Sequence, residues 1–546
     1  MAIQSTMGDL PLSVHMILRR AEAMGSHAKL VGVTPAGRST RTWPELAGRA
    51  RRLADALAGL GVGPGDRVAT FAWNTLAHLE LLYAVPVSGA VLQPLNVRLF
   101  PAQIAWIANH AEDRVVFVQA SLTSRLAEFK AQLATVRQYV VIDDGTPRHP
   151  DFADALDYED LVARGADDVP SEADERSAAC LCYTSGTTGN PKGVVYSHRS
   201  LTLHAMSGCF VDSFAVRESD VILPLTPLFH ATAWGLPYAA GLAGASLVLT
   251  GQDTSPEAVL RLIRGEGVTV AAGVPTFWLA IDQASPDDLG ELERILCGGS
   301  AIPLDLLERY RRRGVSMQQG WGMTEMSPSG NLTFVRRVLH GLPTSEKLAL
   351  HATQGITTAG VELRLVDEDG VPRPADGRTA GEVEVRGPWV TKSYYNPDGD
   401  SNSANFRDGW LRTGDIATID EYGYLRLVDR TKDLIKSGGE WISSIEVENH
   451  LMDHPEVAQA MVIAVAHPVW TERPAALVVR RAGSSVTDEE LAAHLVERVA
   501  KWWVPDVFEF VEVLPTTATG KFDKRDARAT WGGPLAERLG TQQPST

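Results

Sequence analysis

Helical and strand-like hydrophobic patterns alternate along most of this chain. Residues 43–60 space their apolar positions as an amphipathic helix, and the turn-forming run GVGPGD follows directly. The stretch 67–73 (RVATFAW) is then typical of a strand, and the alternation recurs with a helix over 121–135 and a strand over 138–143. Further members of the series are 256–265, 268–273 and 304–313. This order predicts a layered α/β fold.

The pattern changes beyond about residue 360. The runs VELRLVDEDG and GEVEVRG alternate apolar and polar residues and carry an Asp-Gly turn, which predicts antiparallel hairpins in a β-rich subdomain. A small α+β unit follows DRTKDLIKSGGEW, with helices predicted near 444–452 and 488–501. A chain of 546 residues is too long to fold around a single hydrophobic core. We therefore expect a large N-terminal domain over 1–430 and a small C-terminal domain over 431–546.

One segment does not fit this alternation. Residues 331–354 form a long polar connection that contains the helix-like run SEKLALHA. The sequence predicts a surface insertion there and assigns it no function.

Charge and composition narrow the class of protein. The net charge of −16 argues against a nucleic-acid partner, because phosphate backbones attract basic surfaces. The four cysteines lack metal-ligand spacing, and Cys180 and Cys182 are predicted to share one face of a buried strand. The N-terminus does not resemble a secretory signal, and no run approaches the roughly 18 apolar residues of a membrane span. We therefore expect a cytoplasmic protein without an integral membrane segment.

The strongest local signal is the loop from Tyr183 to Gly193, with the sequence YTSGTTGNPKG. Its glycines allow successive backbone N–H groups to face one anion, its hydroxyls add donors, and Lys192 adds a positive charge. The spacing is not that of a Walker A loop. A glycine-rich hairpin turn is the alternative, but the density of glycine and hydroxyl residues favours a polyphosphate site.

This loop resembles the signature of the acyl-adenylate-forming superfamily, which includes acyl-CoA synthetases, peptide-synthetase adenylation domains and beetle luciferases. Four further motifs match in order: QGWGMTE at 319–325, WLRTGD at 410–415, DRTKD at 429–433 and PTTATGK at 515–521. The resemblance covers nearly the whole chain. It implies the fold of acyl-CoA synthetases, with a mobile C-terminal domain, and a homodimer formed through the N-terminal domain.

The resemblance implies ATP and Mg²⁺ as ligands. Trp321, where the family usually has Tyr or Phe, would stack on adenine, Asp415 would accept both ribose hydroxyls, and Arg430 would assist there. Thr184 and Glu325 are the expected magnesium ligands. The full set of expected ATP-binding residues is Thr184, Ser185, Gly186, Thr187, Thr188, Gly189, Lys192, Gly299, Ser300, Ala301, Gln319, Gly320, Trp321, Gly322, Thr324, Asp415, Arg430, Lys432, Lys436 and Trp441.

Catalysis of the first step is assigned to Lys521, because a cation lowers the repulsion between an attacking carboxylate and the α-phosphate. Thr184, Glu325 and His230 complete the expected catalytic set. The family hinge corresponds to Lys432. Rotation there would withdraw Lys521 and open a channel for the coenzyme A arm, which we expect Gly438, Gly439 and Glu440 to line.

Two motifs indicate which class of carboxylic acid the protein would use as substrate. The run SGGEWISS at 437–444 and the run LFHATAWG at 228–235 resemble the medium- and long-chain fatty-acyl branch, in which Trp234 and Ala231 would gate the acyl tunnel. This implies a fatty-acid:CoA ligase. A ligase for a short thioether acid such as 3-(methylthio)propanoate, or for an aryl acid, remains an alternative. Less favoured are an enzyme that loads a carrier protein and an inactive nucleotide sensor.

Overall fold

The computed structural model describes residues 3, 5–168, 170–184, 190–284, 288–397, 401–430, 433–437, 440–517 and 522–541. Within them the strands of the two large sheets are β1 Leu30–Thr34, β2 Gly37–Arg41, β3 Arg67–Phe71, β4 Val91–Pro94, β5 Asp113–Gln119, β6 Gln138–Ile142, β7 Leu156–Asp157, β8 Ala178–Tyr183, β9 Gly193–Ser197, β10 Val221–Pro224, β11 Ser246–Leu249, β12 Val270–Gly273, β13 Arg294–Gly298, β14 Ser316–Gly322, β15 Ser329–Leu332 and β16 Ile356–Thr357. Two smaller sheets comprise β17 Glu362–Val366, β18 Gly381–Arg386, β19 Phe406–Arg407, β20 Trp410–Ile419, β21 Leu425–Arg430, β22 Ile435–Ser437, β23 Glu440–Ile442, β24 Val457–His467, β25 Thr471–Arg480 and β26 Val507–Phe510.

The helices of the same residues are α1 Val14–Met24, α2 Trp43–Gly59, α3 Leu76–Val87, α4 Pro101–Ala111, α5 Thr123–Ala127, α6 Tyr158–Arg164, α7 His198–Gly208, α8 Ala231–Trp234, α9 Leu236–Ala243, α10 Pro256–Gly265, α11 Pro275–Ala284, α12 Leu304–Arg312, α13 Thr344–His351, α14 Ser401–Asn405, α15 Ser444–Met452, α16 Asp488–Val496 and α17 Lys524–Thr541. Among the described residues, no helix is both long enough and apolar enough to cross a membrane.

Two large, mostly parallel sheets form the N-terminal part. One has the order β16-β15-β14-β13-β12-β10-β11-β1-β2, and the other has the order β7-β6-β5-β3-β4-β8-β9. Their strands are rich in buried Val, Ile, Leu and Ala, as expected when helices cover both faces of a parallel sheet. The predicted layered α/β class is therefore confirmed.

Local signals account for most element boundaries in this part. Helix α2 begins with a capping box, in which the Thr42 hydroxyl accepts from the Glu45 N–H and the Glu45 carboxylate accepts from the Thr42 N–H. The helix predicted over 121–135 is wrong in length, because the structure has only the short α5 followed by a 3-10 turn. There the Asn109 side chain bonds the Gln132 carbonyl at 2.8 Å and the Ala134 N–H at 2.9 Å, which takes the backbone out of the helical pattern.

The predicted polar insertion at 331–354 is only partly correct. Asn331 and Leu332 are buried in β15, which pairs antiparallel with β14. The helix-like run forms α13, and Leu348 and Ala352 pack against the apolar core under the nine-stranded sheet. The segment therefore extends the sheet and covers its core rather than forming a purely surface loop.

The rest of the chain has the predicted antiparallel strands followed by a small α+β unit. Strands β17, β18, β20 and β19 form an antiparallel sheet, with β21 paired to β20. Beyond residue 433, strands β22 to β26 and helices α15 to α17 form an α+β unit with apolar clusters of its own. Cys180 and Cys182 lie on one buried face of β8 with their Sγ atoms 3.7 Å apart, as predicted.

Candidate active site

The phosphate-type loop joins β8 to β9, which pair antiparallel with Tyr183 opposite Gly193. Thr184 and Lys192 close its base, because the Thr184 N–H donates to the Lys192 carbonyl at 2.9 Å and the Lys192 N–H donates to the Thr184 hydroxyl at 3.1 Å. These two hydrogen bonds hold the ends of the loop next to each other. Ser185, Gly186, Thr187, Thr188 and Gly189 lie outside the described residues.

The carboxyl ends of β13 and β14 supply the second wall of the site. These strands are parallel with Gly298 opposite Gly320, so the residues at their carboxyl ends lie side by side. A Cβ on Gly298 would lie 3.0 Å from the Gly320 carbonyl oxygen, and one on Gly322 would lie 1.7 Å from the Pro328 carbonyl oxygen. Glycine at these positions therefore permits a backbone approach that any side chain would block. Ligand sites in α/β folds commonly form at such strand ends.

A cavity of about 450 Å³ opens between these two walls. The cationic side chains Arg98, Lys192, Arg412 and Arg430 line it, together with the Glu325 carboxylate. Arg412 is paired with Glu382 and Arg430 with Asp415. The remaining concentration of cationic side chains suits an anionic ligand inside an otherwise acidic protein. The same cavity also has an apolar lining, which includes Phe214, Leu225, Ala231, Trp234, Val274, Phe277, Leu296, Cys297, Met323, Pro328 and Leu332.

A second cavity of about 280 Å³ adjoins the first, since Trp321 and Arg430 line both. Gly299, Ser300, Ala301, Gln319 and Asp415 also line it. Its other wall comes from the C-terminal unit and includes Glu448, Asn449, Thr517, Lys524 and Arg528. The two cavities therefore run from the apolar pocket to the boundary between the N-terminal part and the C-terminal unit.

Glu325 is almost completely buried beside the larger cavity. Burial raises its pKa, and the Tyr394 hydroxyl, which donates to Glu325 Oε1 at 2.8 Å, acts in the opposite direction. The Lys192 ammonium lies 4.7 Å from the centroid of the Tyr394 ring. The neighbouring Thr324 carbonyl accepts a hydrogen bond from Tyr196. The site therefore holds a buried carboxylate in a defined position with a cation nearby.

Asp415 lies across the site from β14. The Trp321 indole N–H donates to Asp415 Oδ2 at 2.9 Å, and Arg430 Nε lies 3.2 Å from Asp415 Oδ1. Both Trp321 and Asp415 are buried. The Trp321 ring, which lines both cavities, is thus hydrogen-bonded to the Asp415 carboxylate, which lines the smaller one.

The segment α8, which carries Trp234, is a left-handed turn rather than a regular α-helix. Ala231, Thr232, Ala233, Trp234 and Gly235 have consecutive φ angles of 39°, 40°, 51°, 58° and 72°. L-residues disfavour this region by roughly 1–2 kcal/mol each, and such strain concentrates at functional sites. The turn carries Trp234 to Gly298, where a Cβ would lie 3.4 Å from indole Cη2.

Comparison with known proteins identifies the family of this site. Residues 18–395 match the model of the AMP-binding enzymes, and residues 446–521 match the model of the AMP-binding enzyme C-terminal domain. The chain belongs to the AMP-binding enzyme family. The resemblance and the fold inferred from the sequence motifs are therefore confirmed, and within the family the chain is an acyl-CoA synthetase.

Its relatives within the AMP-binding enzymes match over nearly their full length. A long-chain-fatty-acid–CoA ligase of Thermus thermophilus is 47% identical over 96% of this chain and 97% of its own. A 3-methylmercaptopropionyl-CoA ligase of Ruegeria lacuscaerulensis is 42% identical over 95% and 97%. Among solved structures, an anthranilate CoA ligase in complex with anthranoyl-AMP superposes with a TM-score of 0.85 at 26% identity, covering 97% of this chain and 99% of that one.

Several of the predicted residues of this AMP-binding enzyme lie together in the two cavities. These are Thr184, Lys192, His230, Ala231, Trp234, Gly299, Ser300, Ala301, Gln319, Gly320, Trp321, Gly322, Thr324, Glu325, Asp415 and Arg430. Lys436 is exposed on β22 and is not among the residues that line either cavity. Lys432, Gly438, Gly439 and Lys521 lie outside the described residues, as do the side chains of Glu440 and Trp441.

Three residues at these cavities were not predicted from the sequence, namely Tyr394, Arg98 and Lys524. Tyr394 reaches Glu325 from 69 positions away, and no local pattern around it signals that contact. Arg98 follows the buried strand β4 and lines the larger cavity, so a cation after a parallel strand was the available signal. Lys524 stands three positions after Lys521 in a run that resembles an ordinary charged helix start.

Proposed function

We propose that this acyl-CoA synthetase activates an aliphatic monocarboxylate, a fatty acid, in two steps. A carboxylate oxygen attacks the α-phosphorus of ATP, which gives acyl-AMP and releases pyrophosphate. The deprotonated thiol of coenzyme A then attacks the acyl carbonyl carbon, and AMP leaves as acyl-CoA forms. The observation that carries this proposal is the larger cavity, which combines cationic side chains with an extended apolar lining.

The adenosine end of ATP is proposed to lie against β14 and β20. Trp321 offers an aromatic face to adenine, and Gly299, Ser300 and Ala301 are small enough to admit the base. Asp415 has lone pairs for both ribose hydroxyls, and Arg430 beside it supplies positive charge. Gln319, Gly320 and Gly322 would complete this wall.

The triphosphate is proposed to lie between the β8–β9 loop and Thr324. Residues 184–189 and Lys192 would bind phosphate oxygens through backbone, hydroxyl and ammonium donors. Mg²⁺ prefers oxygen ligands, and the Thr184 hydroxyl and the Glu325 carboxylate both line the larger cavity. Within the described residues, no group of three or more His, Cys, Asp or Glu side chains is arranged to hold a metal ion, and phosphate oxygens of ATP would supply the other ligands. When bound, the ion would neutralise phosphate charge.

The remaining roles follow from the family resemblance. Lys521 is proposed to stabilise the first transition state, with His230 near the reacting carboxylate and Lys436, Lys432 and Trp441 near the nucleotide. The domains are proposed to divide at 430/431, with rotation near Lys432 bringing Gly438, Gly439 and Glu440 to the channel for coenzyme A. A homodimer through the N-terminal domain is proposed as well, and sedimentation velocity would check it.

The apolar lining around Trp234 and Ala231 supports a fatty acid. Phe214, Leu225, Phe277 and Leu332 would contact the chain, and burial of each methylene contributes about 0.8 kcal/mol. A short thioether acid is the second candidate, since two 3-methylmercaptopropionyl-CoA ligases are 42% and 43% identical to this chain. Thioether sulfur is nearly as apolar as a methylene, so the same lining would accept it.

Pyrophosphate release from ATP tests the function directly. The assay takes saturated acids from C2 to C18, 3-(methylthio)propanoate and benzoate, each with and without coenzyme A. We expect release with the fatty acids and conversion of a single burst into turnover when coenzyme A is added. Release with the thioether acid alone would replace the fatty acid by the second candidate. Absence of release with every acid would contradict the ligase assignment.

The role of Lys521 needs a half-reaction assay. Lys521→Ala should reduce pyrophosphate release by about a thousandfold or more, as expected when a positioned cation is lost from a transition state. Thioester formation from supplied acyl-adenylate should be largely retained. Equal loss of both half-reactions would remove Lys521 from the proposed role.

A further inference from the structure

The indole N–H of Trp321 points at the carboxylate proposed to bind ribose. Nε1 lies 2.9 Å from Asp415 Oδ2, and both side chains are more than nine-tenths buried. Arg430 approaches the other oxygen, with its Nε 3.2 Å from Oδ1. Each carboxylate oxygen therefore has one protein donor and at least one lone pair left.

Packing fixes the direction of that N–H. Trp321 lies at an irregularity in the pairing of β14 with β15, and its ring packs on Gly330, where a Cβ would come within 2.9 Å of two indole carbons. Met326 also belongs to the apolar cluster around the ring. Because the ring is confined, its N–H stays aimed at Asp415 without further ordering when a ligand arrives.

The backbone of Asp415 is held as well. Its N–H donates to the Thr413 hydroxyl at 3.1 Å, and Asp415 pairs with Arg430 across β20 and β21. With the backbone held, only rotation of the carboxylate group could still change its orientation. The Trp321 donor on one oxygen and Arg430 on the other oppose this rotation, since it would break both contacts.

We infer that Trp321 is a positioning residue for nucleotide recognition, in addition to being an aromatic surface. By holding Oδ2, its N–H aims the remaining lone pairs of Asp415 at the two ribose hydroxyls. The inference rests on the proposed function, in which Asp415 accepts those hydroxyls. It makes the enzyme selective for ribonucleotides through a residue that does not itself contact the sugar.

The opposing explanation is that Trp321 only packs and stacks. Under that explanation a phenylalanine, which keeps an aromatic face and most of the volume, would lose little selectivity between sugars. Under the positioning role, phenylalanine frees Asp415 Oδ2 to turn or to bind water, so the ribose hydroxyls lose a preorganised acceptor. The two explanations therefore differ in sugar selectivity rather than in overall affinity.

Calorimetric titration of ATP, 2′-deoxy-ATP and 3′-deoxy-ATP separates them, and it needs no knowledge of the acid. Wild type, Trp321→Phe and Asp415→Ala are compared, with Trp502→Phe as a matched control at a half-exposed tryptophan. We expect wild type to prefer ATP over each deoxynucleotide by about tenfold or more, as for lost hydrogen bonds to a charged group. Trp321→Phe should reduce at least one of these ratios by about fivefold and weaken deoxynucleotide binding less than ATP binding.

The outcomes distinguish the inference from the proposal beneath it. Equal weakening of all three nucleotides in Trp321→Phe, with ratios unchanged, would overturn the positioning role and leave stacking alone. Wild type that fails to discriminate among the sugars, or Asp415→Ala that retains full discrimination, would instead overturn the ribose role of Asp415. Unchanged thermal unfolding of Trp321→Phe shows that the altered ratio does not come from misfolding.

Discussion

The Lys524 ammonium lies 2.8 Å from Glu448 Oε1, where Glu448 is buried and the Lys524 side chain is only 12% exposed. Burial lowers the pKa of Lys524, but the carboxylates of Glu448 and Asp429 outweigh it and raise that pKa above its ordinary value, so the group is charged. Asp429 also accepts hydrogen bonds from the backbone N–H and the hydroxyl of Ser444, at the start of α15. The ion pair therefore belongs to a polar cluster that connects the end of β21 to the C-terminal unit.

The first prediction concerns this pair. Lys524→Met should destabilise the C-terminal unit by about 3–5 kcal/mol, because the buried Glu448 carboxyl, whose pKa burial already raises to about 7, loses its cationic partner. Adding Glu448→Leu should recover much of the loss, since an apolar pair often replaces a buried ion pair without cost. Urea unfolding of both variants measures this. The control is Lys501→Met at an exposed position, and an equal loss in control and Lys524→Met would contradict the prediction.

The second prediction concerns the donor on Glu325. Tyr394→Phe removes the hydroxyl 2.8 Å from Oε1 and leaves the position of the carboxylate less defined. We expect the Mg²⁺ concentration that half-saturates pyrophosphate release to rise by about tenfold, the size usual for lost support of a metal ligand. Tyr422→Phe on an exposed turn is the matched control. An unchanged Mg²⁺ requirement in Tyr394→Phe would separate Tyr394 from the metal site.

The third prediction concerns the left-handed turn. Gly235 has a φ of 72°, and a Cβ there would lie 2.4 Å from His204 Nδ1, so Gly235→Ala must shift the turn that carries Trp234. We expect the preference among acids of different length to change by about tenfold, since small displacements of positioning groups have large kinetic effects. The KM for ATP should stay close to that of wild type. Comparison with Gly265→Ala, where a Cβ meets no atom within 4 Å, controls for the substitution itself.

The fold could be predicted from local sequence patterns wherever the secondary structure of a residue is determined by its neighbours in the sequence. The boundaries of α2 and α10 follow from apolar spacing and from Thr42 and Ser255 as caps, and both helices lie where they were predicted. Residues 121–135 show the limit, because the bonds from Asn109 to that backbone come from a different helix. Hydrophobic period cannot anticipate a competing tertiary hydrogen bond.

The candidate site was likewise predictable only in part. Trp321, Glu325 and Asp415 were predicted because motifs carry them, and the structure brings all three to the same pair of cavities. The bond from Trp321 to Asp415 spans 94 positions. It depends on how the sheet that contains β14 packs against the sheet that contains β20, which no motif records. Motifs therefore predicted which residues form the site, whereas their mutual geometry required the fold.

The fourth prediction concerns acid stability and His78. Its Nδ1 lies 3.0 Å from the Trp73 carbonyl oxygen and its Nε2 lies 2.9 Å from the Thr70 hydroxyl, so the neutral ring donates to the first and accepts from the second. Burial lowers the pKa of His78 from 6.5 to about 4. Between these values the unfolded chain binds more protons than the folded one, so the free energy of unfolding falls as pH falls from about 6.5 to 4.

His78→Gln should reduce this loss, because glutamine keeps a donor and an acceptor but does not titrate. A pKa lowered from 6.5 to about 4 corresponds to about 3 kcal/mol. This is the largest difference expected between wild type and His78→Gln in the free energy of unfolding that is lost on acidification. Urea unfolding at pH 7.5 and pH 4.5 measures the difference for wild type, His78→Gln and the exposed control His27→Gln. If wild type and His78→Gln lose the same free energy between these pH values, protonation of His78 does not drive acid unfolding. The other buried imidazoles of lowered pKa, His15, His198 and His204, then become the next to replace.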